Sequence, residues 1–426
     1  MLGPLLGPLL CLGAASLPVK DMVGFIVSAL LFSPIYVASP AMLKRKVVEG
    51  SVMFWVFLFV SGAPLLYGAF IFGLLRGPFW LRALLAAYGV HIYLDRRPHL
   101  PATGAGAHPV RSWTVLKLYR EYFPCSLRKS CRLDPQRKYV FGYHPHGILS
   151  LGCLGNVASD VFGTVFPGIN VHPLTLKSNF VVPFSRELAL GLGFRDSGRR
   201  TCDAILQHGG PGAAICLVVG GAAEAIETDP GGIDLTLAHR KGFVRVALAN
   251  GADLVPCITF GENETFEVVT SAPGSLMHDI SAGMKAAFGF SIPIFYGHST
   301  FLPPALRWLT FGLLPLPRKI TTVVGEPVKV KQFKGDLRSG KGAELVNKVH
   351  RKYLKALRKL YDGHKEVHFL SRQRTIRFLD TGRDFPKFEE SARPGGAMMS
   401  PRQSVRPGLE EVEELLEELR SPSRES

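Results

Sequence analysis

Val52–Leu75 holds 24 consecutive residues without a charged side chain, and no other feature of the 426-residue chain restricts its fold as strongly. As one helix this run would reach about 36 Å, against roughly 30 Å for the hydrocarbon core of a bilayer. Arg76-Gly77-Pro78 breaks it, and Phe79–Leu94 continues apolar apart from Arg82 and His91. Arg82 lies near a helix end, where its guanidinium can snorkel to a polar interface. Two apolar runs with a tight break predict a membrane hairpin over 52–94; the alternative is a pair of buried core helices. The segment 1–51 is also apolar, but Met1–Pro18 lacks the basic residues of a signal peptide. Met22–Met42 is uncharged, interrupted by Pro34 and Pro40, and followed by Lys44-Arg45-Lys46. Spanning and interfacial placements both stay open for it.

The Pro/Gly-rich linker Asp95–Arg111 carries Arg96, Arg97 and Arg111. Basic residues beside a membrane end favour the cytosolic side, so both ends of the hairpin are expected there. Lys and Arg total 50 against 34 Asp and Glu, a net charge of +16, while 47% of residues are hydrophobic. Together these suit an anionic membrane face or a polyphosphate ligand such as coenzyme A, and argue against nucleic acid. Seven scattered cysteines without a C-x-x-C predict reduced thiols rather than a disulfide framework or a zinc site.

From Trp113 the pattern becomes globular. Tyr139–Tyr143, Ala213–Val219, Leu254–Phe260 and Ile320–Val324 read as strands, and Lys241–Asn250 and Ala343–Tyr361 as helices. Strands alternating with helices predict an α/β domain over 95–361. In the last helix Val346, Val349, Tyr353, Leu357 and Leu360 form an apolar face. Lys348, Arg351, Lys352, Lys355, Arg358 and Lys359 cover the other side, as a solvated face or a membrane surface. The remainder, 362–426, reads as a largely flexible tail ending in a short acidic helix, Leu409–Arg420.

Three stretches carry chemistry. His144-Pro145-His146-Gly147 follows a strand, and proline there forces a turn that can aim a side chain into a cleft. A histidine so placed can accept a proton from an alcohol, although the stretch also suits a purely structural turn. Nothing supplies metal-ligand spacing around it. Val219-Gly220-Gly221-Ala222-Ala223-Glu224 is a strand end, a glycine turn open to an anion, and a carboxylate that either orients a histidine or caps a helix. Arg240-Lys241-Gly242-Phe243 opens a helix with two cations, an arrangement at odds with the helix dipole. They point to an anionic partner, such as coenzyme A phosphates or a structural carboxylate. Asn263, in Phe260-Gly261-Glu262-Asn263-Glu264, ends a further strand in turn chemistry.

In order along the chain, Tyr122-Phe123-Pro124, Phe141–Gly147, Val218–Glu224, Arg240–Phe243, Gly251–Pro256, Phe260–Asn263 and Val324-Gly325-Glu326-Pro327 resemble the signature blocks of the type-2 diacylglycerol acyltransferase family. That family includes monoacylglycerol and wax-alcohol acyltransferases, and the resemblance covers about Val52–Leu360. It implies a catalytic domain with the α/β sandwich of the glycerolipid acyltransferases behind an N-terminal helical membrane hairpin. It implies a multi-pass protein of the endoplasmic reticulum membrane, facing the cytosol and extending to the lipid droplet surface. It also implies transfer of a fatty acyl group from acyl-CoA to diacylglycerol, with acyl-CoA as co-substrate and no cofactor or metal. Monoacylglycerol, a fatty alcohol, or a non-catalytic lipid-binding scaffold are the alternatives, and a homo-oligomer stays open. Carried onto this sequence, His146 is the base, His144 its support and Glu224 the candidate orienting carboxylate. Pro145, Gly147, Gly220, Gly221, Arg240, Lys241 and Asn263 contact substrate. The H-x-x-x-x-D dyad of related glycerolipid acyltransferases is absent: five residues after His146 stands Leu151, and five after His144 stands Leu149.

Overall fold

The structure, a computed structural model, describes residues 40–56, 62–101, 108–221, 224, 233–268, 295–297, 314–368 and 376–378. Most of Met22–Met42, the acidic helix expected at Leu409–Arg420 and nearly all of the expected tail lie outside these residues. The chain divides into two compact units, Met1–Gly50 and Ser51–Ser426. The sequence boundary between them falls within helix α1, Pro40–Val56. In the first unit Arg45 Nε donates to Glu49 one turn later at 2.8 Å.

The second unit is built on a seven-stranded, mostly parallel sheet. Its strands are β1 (Ser126–Lys129), β2 (Tyr139–His144), β3 (Asn170–Thr175), β4 (Arg195–Asp196), β5 (Ala213–Val218), β7 (Asp253–Phe260) and β10 (Thr321–Val324). The order across the sheet is β1-β10-β7-β2-β5-β3-β4, with β10–β7 the antiparallel pair. Two smaller pairs join β6 (Asp234–Leu235) to β11 (Arg377–Phe378), and β8 (Glu267–Val268) to β9 (Phe295–Tyr296). The four strands expected from sequence fall within a residue of their bounds. Continuous apolar runs stopped by glycine or histidine read well because a parallel sheet covered on both faces needs strands that are apolar throughout. Every residue of β2 and β7 is buried.

Alternation along β2 divides the core in two. Val140 joins Leu254, Ile258 and Val323 under two helices, Gly242–Asn250 and Gly340–Asp362. The opposite face holds Tyr139, Phe141 and Tyr143 against Val157, Phe162 and Val171. All five apolar residues expected on the long C-terminal helix are buried, and Lys348, Arg351, Lys352, Lys355 and Lys359 are exposed.

The uncharged run Val52–Leu75 departs from expectation. Within it the structure describes helix α1 as far as Val56 and a second helix, α2, from Gly62; residues 57–61 lie outside the described residues. Val52, Trp55 and Val56 are core residues, packed in a cluster with Leu116, Tyr119 and Phe123. A count of uncharged residues cannot separate apolar side chains facing a protein core from those facing lipid. The hairpin is the shorter pair α2 (Gly62–Arg76) and α3 (Phe79–Leu94). Gly73 sits against Leu85 and Gly89 against Phe70, which makes the pair antiparallel. At 15 and 16 residues the two helices measure about 22 and 24 Å. Among the described residues no helix is long and apolar enough to cross a membrane.

The hairpin leaves Leu65, Ile71, Phe72, Leu75, Phe79 and Trp80 exposed. Its end is fixed to the body of the unit. Tyr88 stacks on Phe184 and accepts the Phe184 N–H at 3.0 Å. Asp95, after α3, accepts from the fully buried Arg186 at 2.5 Å and from Arg97 Nε at 2.9 Å.

Gly142 tests the packing of β2 against the long C-terminal helix. A Cβ there would stand 2.0 Å from the Tyr353 hydroxyl and 2.9 Å from its ring carbon. Gly142→Ala is expected to destabilise the protein by about 1–3 kcal/mol, as overpacking in a closed core does. Denaturant midpoints in detergent micelles measure this, and an unchanged midpoint would contradict the packing described.

Candidate functional site

Strands β7, β2 and β5 are adjacent and mutually parallel. Their carboxyl ends therefore lie along one edge of the sheet, where loops of α/β proteins collect ligands. His144 ends β2, and past the three ends stand Gly261-Glu262-Asn263, Pro145-His146-Gly147 and Gly220-Gly221 with Glu224. Segments more than a hundred residues apart in sequence meet there because three apolar strands pair in register.

The two histidines separate at Pro145, across a cis peptide between His144 and Pro145. His144 is the last residue of β2 and has no exposed surface. The Tyr353 hydroxyl donates to the Gly142 carbonyl at 3.2 Å. His144 Nε2 must therefore carry the proton it shares with that hydroxyl at 2.9 Å. Its Nδ1 finds no hydrogen-bond partner among the described residues. Burial pushes the His144 pKa down to about 3, so the ring stays neutral. His144 braces the end of β2 against the long helix, and its ring is closed off from the outside.

His146, half-buried, leaves the strand. Its backbone N–H donates to Glu224 Oε2 at 2.9 Å, and its carbonyl accepts the N–H and the hydroxyl of Ser150, each at 3.0 Å. Its Nδ1 lies 2.8 Å from the Gly147 carbonyl. A carbonyl only accepts, so Nδ1 holds the proton and Nε2 presents the lone pair. Burial lowers the pKa of the ring, and the Arg240 charge lowers it further against the Gly147 bond. Near neutral pH this is an unprotonated imidazole of fixed tautomer, the form a general base requires.

Glu224 is buried and does not bond the imidazole. One oxygen takes the His146 N–H and the other takes the Thr236 N–H at 3.0 Å. It fixes the backbone that carries the ring, which differs from the ring-orienting role expected of it. Gly220 is required beside it, since a Cβ there would fall within 1.7 Å of the Glu224 carboxyl carbon. Gly221 turns with φ +54° toward Arg240, whose Nη1 donates to the Val219 carbonyl at 3.0 Å. Pro145 and Gly147 are buried in the loop itself. Lys241 Nζ donates to Asn347 of the long helix at 2.9 Å. Asn263 is buried after β7. Among the described residues no group of three or more His, Cys, Asp or Glu is arranged to hold a metal ion.

Glu262 belongs to the site and was not singled out from the sequence. It is buried, accepts from the Leu151 and Gly152 N–H groups and from Tyr143, and has its pKa raised to about 7 by burial. A signal did exist: like Glu224, it is a carboxylate placed after a buried strand and a glycine.

The buried titrating groups set a stability profile. His144 and His350, held at about 3 and about 4, are neutral when folded and titrate near 6.5 when unfolded. Their contribution is complete above about 6.5 and is lost as pH falls toward the folded values, by about 1.4 kcal/mol per pH unit for each group. Glu262 acts oppositely: its contribution is complete below the ordinary carboxyl value and is lost as pH rises through about 7. Two histidines against one carboxyl leave a net loss of stability on acidification from pH 6.5 to 5. Denaturant titrations across that range measure it; stability rising toward pH 5 would contradict these environments.

A family model described as diacylglycerol acyltransferase matches residues 74–378. The chain is 33% identical over 365 residues to diacylglycerol O-acyltransferase 2A of Umbelopsis ramanniana, covering 82% of this chain and 94% of that protein. It is 42% identical over 272 residues to diacylglycerol O-acyltransferase 2 of Xenopus laevis, covering 63% and 73%. It is 31% identical over 338 residues to 2-acylglycerol O-acyltransferase 1 of Bos taurus, covering 79% and 96%. No solved structure matches the chain.

Proposed function

The chain belongs to the diacylglycerol acyltransferase family, and from that premise and the site geometry we propose that it transfers a fatty acyl group from acyl-CoA to diacylglycerol, with His146 as the base. The observation that carries the reading is the 2.8 Å contact of His146 Nδ1 with the Gly147 carbonyl, from which the tautomer follows. With Nδ1–H held by Gly147, Nε2 is free to take the hydroxyl proton as the acceptor oxygen attacks the thioester carbonyl. The tetrahedral intermediate collapses with cleavage of the C–S bond, and the imidazolium returns its proton to the leaving coenzyme A thiolate. Backbone N–H groups of the Gly220–Gly221 turn stabilise the oxyanion. Arg240, close enough to depress the His146 pKa, disfavours a standing imidazolium and offers a cation to the thioester end of the co-substrate. The reaction requires no metal or redox cofactor.

The setting proposed is the endoplasmic reticulum membrane, with the sheet domain on the cytosolic side and access to lipid droplets. In support, the α2–α3 hairpin exposes Leu75, Phe79, Trp80 and Leu84, and its two helices are shorter than the roughly 30 Å apolar layer. Such a hairpin enters the membrane and returns to the same face, keeping the site beside a lipid acceptor. The likeness to the bovine 2-acylglycerol enzyme favours monoacylglycerol as a second acceptor.

His146→Ala in the full chain is expected to lower kcat by about 10²–10⁴ with little change in KM for acyl-CoA, the loss of a base and not of binding. Purified protein offered diacylglycerol, monoacylglycerol and a fatty alcohol in competition supplies both the rate and the acceptor. A His146→Ala enzyme active at matched protein level would overturn the assignment; absence of any acyl transfer by the parent chain would overturn the function.

A further inference from the structure

Glu262 lies on the side of the histidine loop opposite the Glu224 contact, and its bonding is unusual for a residue read from sequence as part of a turn. It has 1% exposure. One oxygen accepts the Leu151 N–H at 2.5 Å. The other accepts the Gly152 N–H at 2.8 Å and the Tyr143 hydroxyl at 3.1 Å. Three donors on one closed-off carboxyl group offset the cost of burying it, a cost that returns where a bond is lost.

The places it grips are informative. Leu151 is five residues after His146, the position where an H-x-x-x-x-D dyad would carry its aspartate. Glu262 brings a carboxylate to that backbone position from the end of another strand. It does not reach the imidazole through any of these bonds, so its action is indirect. Its Cγ occupies the space a side chain at 147 would need: a Cβ on Gly147 would stand 2.7 Å from it, at a backbone φ of +57°. Gly147 is the residue whose carbonyl holds His146 Nδ1. Tyr143, its third donor, precedes His144 on β2.

We propose that Glu262 is a positioning residue for His146: with Glu224 holding the loop at the His146 N–H, Glu262 holds it at Leu151 and Gly152 and fixes the Gly147 carbonyl that sets the tautomer and aim of the ring. The loop is thus clamped by one carboxylate at each end. Beneath the second clamp, Asn156 donates to Thr322 at 2.9 Å, and Thr322 shares a hydrogen bond with Thr259 at 3.0 Å, all within the same buried layer. These groups belong to β7, β10 and the buried helical turn Cys153–Val157. This inference depends on His146 being the base.

Reach and charge can be separated. Glu262→Gln keeps the length and one accepting oxygen and loses the charge. Glu262→Asp keeps the charge and withdraws it by one methylene from Leu151 and Gly152. Glu262→Ala removes both. A positioning role ranks kcat as Gln above Asp above Ala, with Ala down by about 100-fold, the scale of a small misplacement of a catalytic group. KM for acyl-CoA stays within about threefold of the parent in each.

The modification rate of His146 by diethylpyrocarbonate, followed by mass spectrometry, reports ring placement without reference to turnover. It is expected to change in the same order. If Glu262→Ala does not fold, the order of Gln and Asp still decides. Asp equal to or above Gln would overturn the proposal, because charge rather than reach would then matter. Normal kcat per folded molecule in all variants, or an unchanged modification rate, would also overturn it. If His146→Ala itself remains active, the base assignment fails separately, and the modification arm alone decides whether Glu262 positions the ring.

Discussion

Parallel pairing of β7, β2 and β5 is the constraint on which the rest depends. Side by side, these strands put three carboxyl ends on one edge, and the loops leaving them carry His146, Glu262 and Gly220–Gly221 with Glu224. The pairing is enforced by burial on both faces: side chains of β2 point alternately toward the C-terminal helix and toward the Phe141–Phe162 layer. A slip of one residue would exchange those faces and carry His144 away from Tyr353. The chemistry of the site is inherited from the register of an apolar sheet.

The second feature is a division of labour among buried polar groups. His144 and Tyr353 close the end of β2 with a neutral pair; Glu224 and Glu262 bind backbone N–H groups. None of these places a charge directly on the imidazole of His146. The base remains unprotonated because it is half-buried beside Arg240, and its tautomer follows from a main-chain carbonyl. A site built this way resists distortion through backbone anchoring, with less reliance on a side-chain dyad.

Much of this was legible in the sequence. The strands were readable as apolar runs ended by glycine or histidine, and the long helix by its apolar face. The neighbourhood of His146, Gly220, Gly221, Glu224 and Arg240 was readable as ordered motifs. What failed did so for physical reasons. Val52, Trp55 and Val56 look like lipid-facing residues until Leu116 and Tyr119 are found against them. Glu262 reads only as part of the turn after a strand in Phe260-Gly261-Glu262-Asn263, because its partners at Leu151 and Gly152 stand over a hundred residues earlier. The bond from Lys241 to Asn347 of the long helix is likewise invisible in the local pattern. Such contacts come from tertiary packing, which local pattern does not encode.

The central claim is that His146 holds its proton on Nδ1 and offers Nε2 to the acceptor hydroxyl. Nitrogen-15 spectroscopy of histidine-labelled protein in micelles, with His146 assigned by comparison with His146→Ala, observes this directly. The account predicts a neutral ring at pH 7 with Nδ1 protonated and Nε2 bare, titrating below the range of a free imidazole. A ring protonated on Nε2, or one still doubly protonated at pH 7, would contradict it.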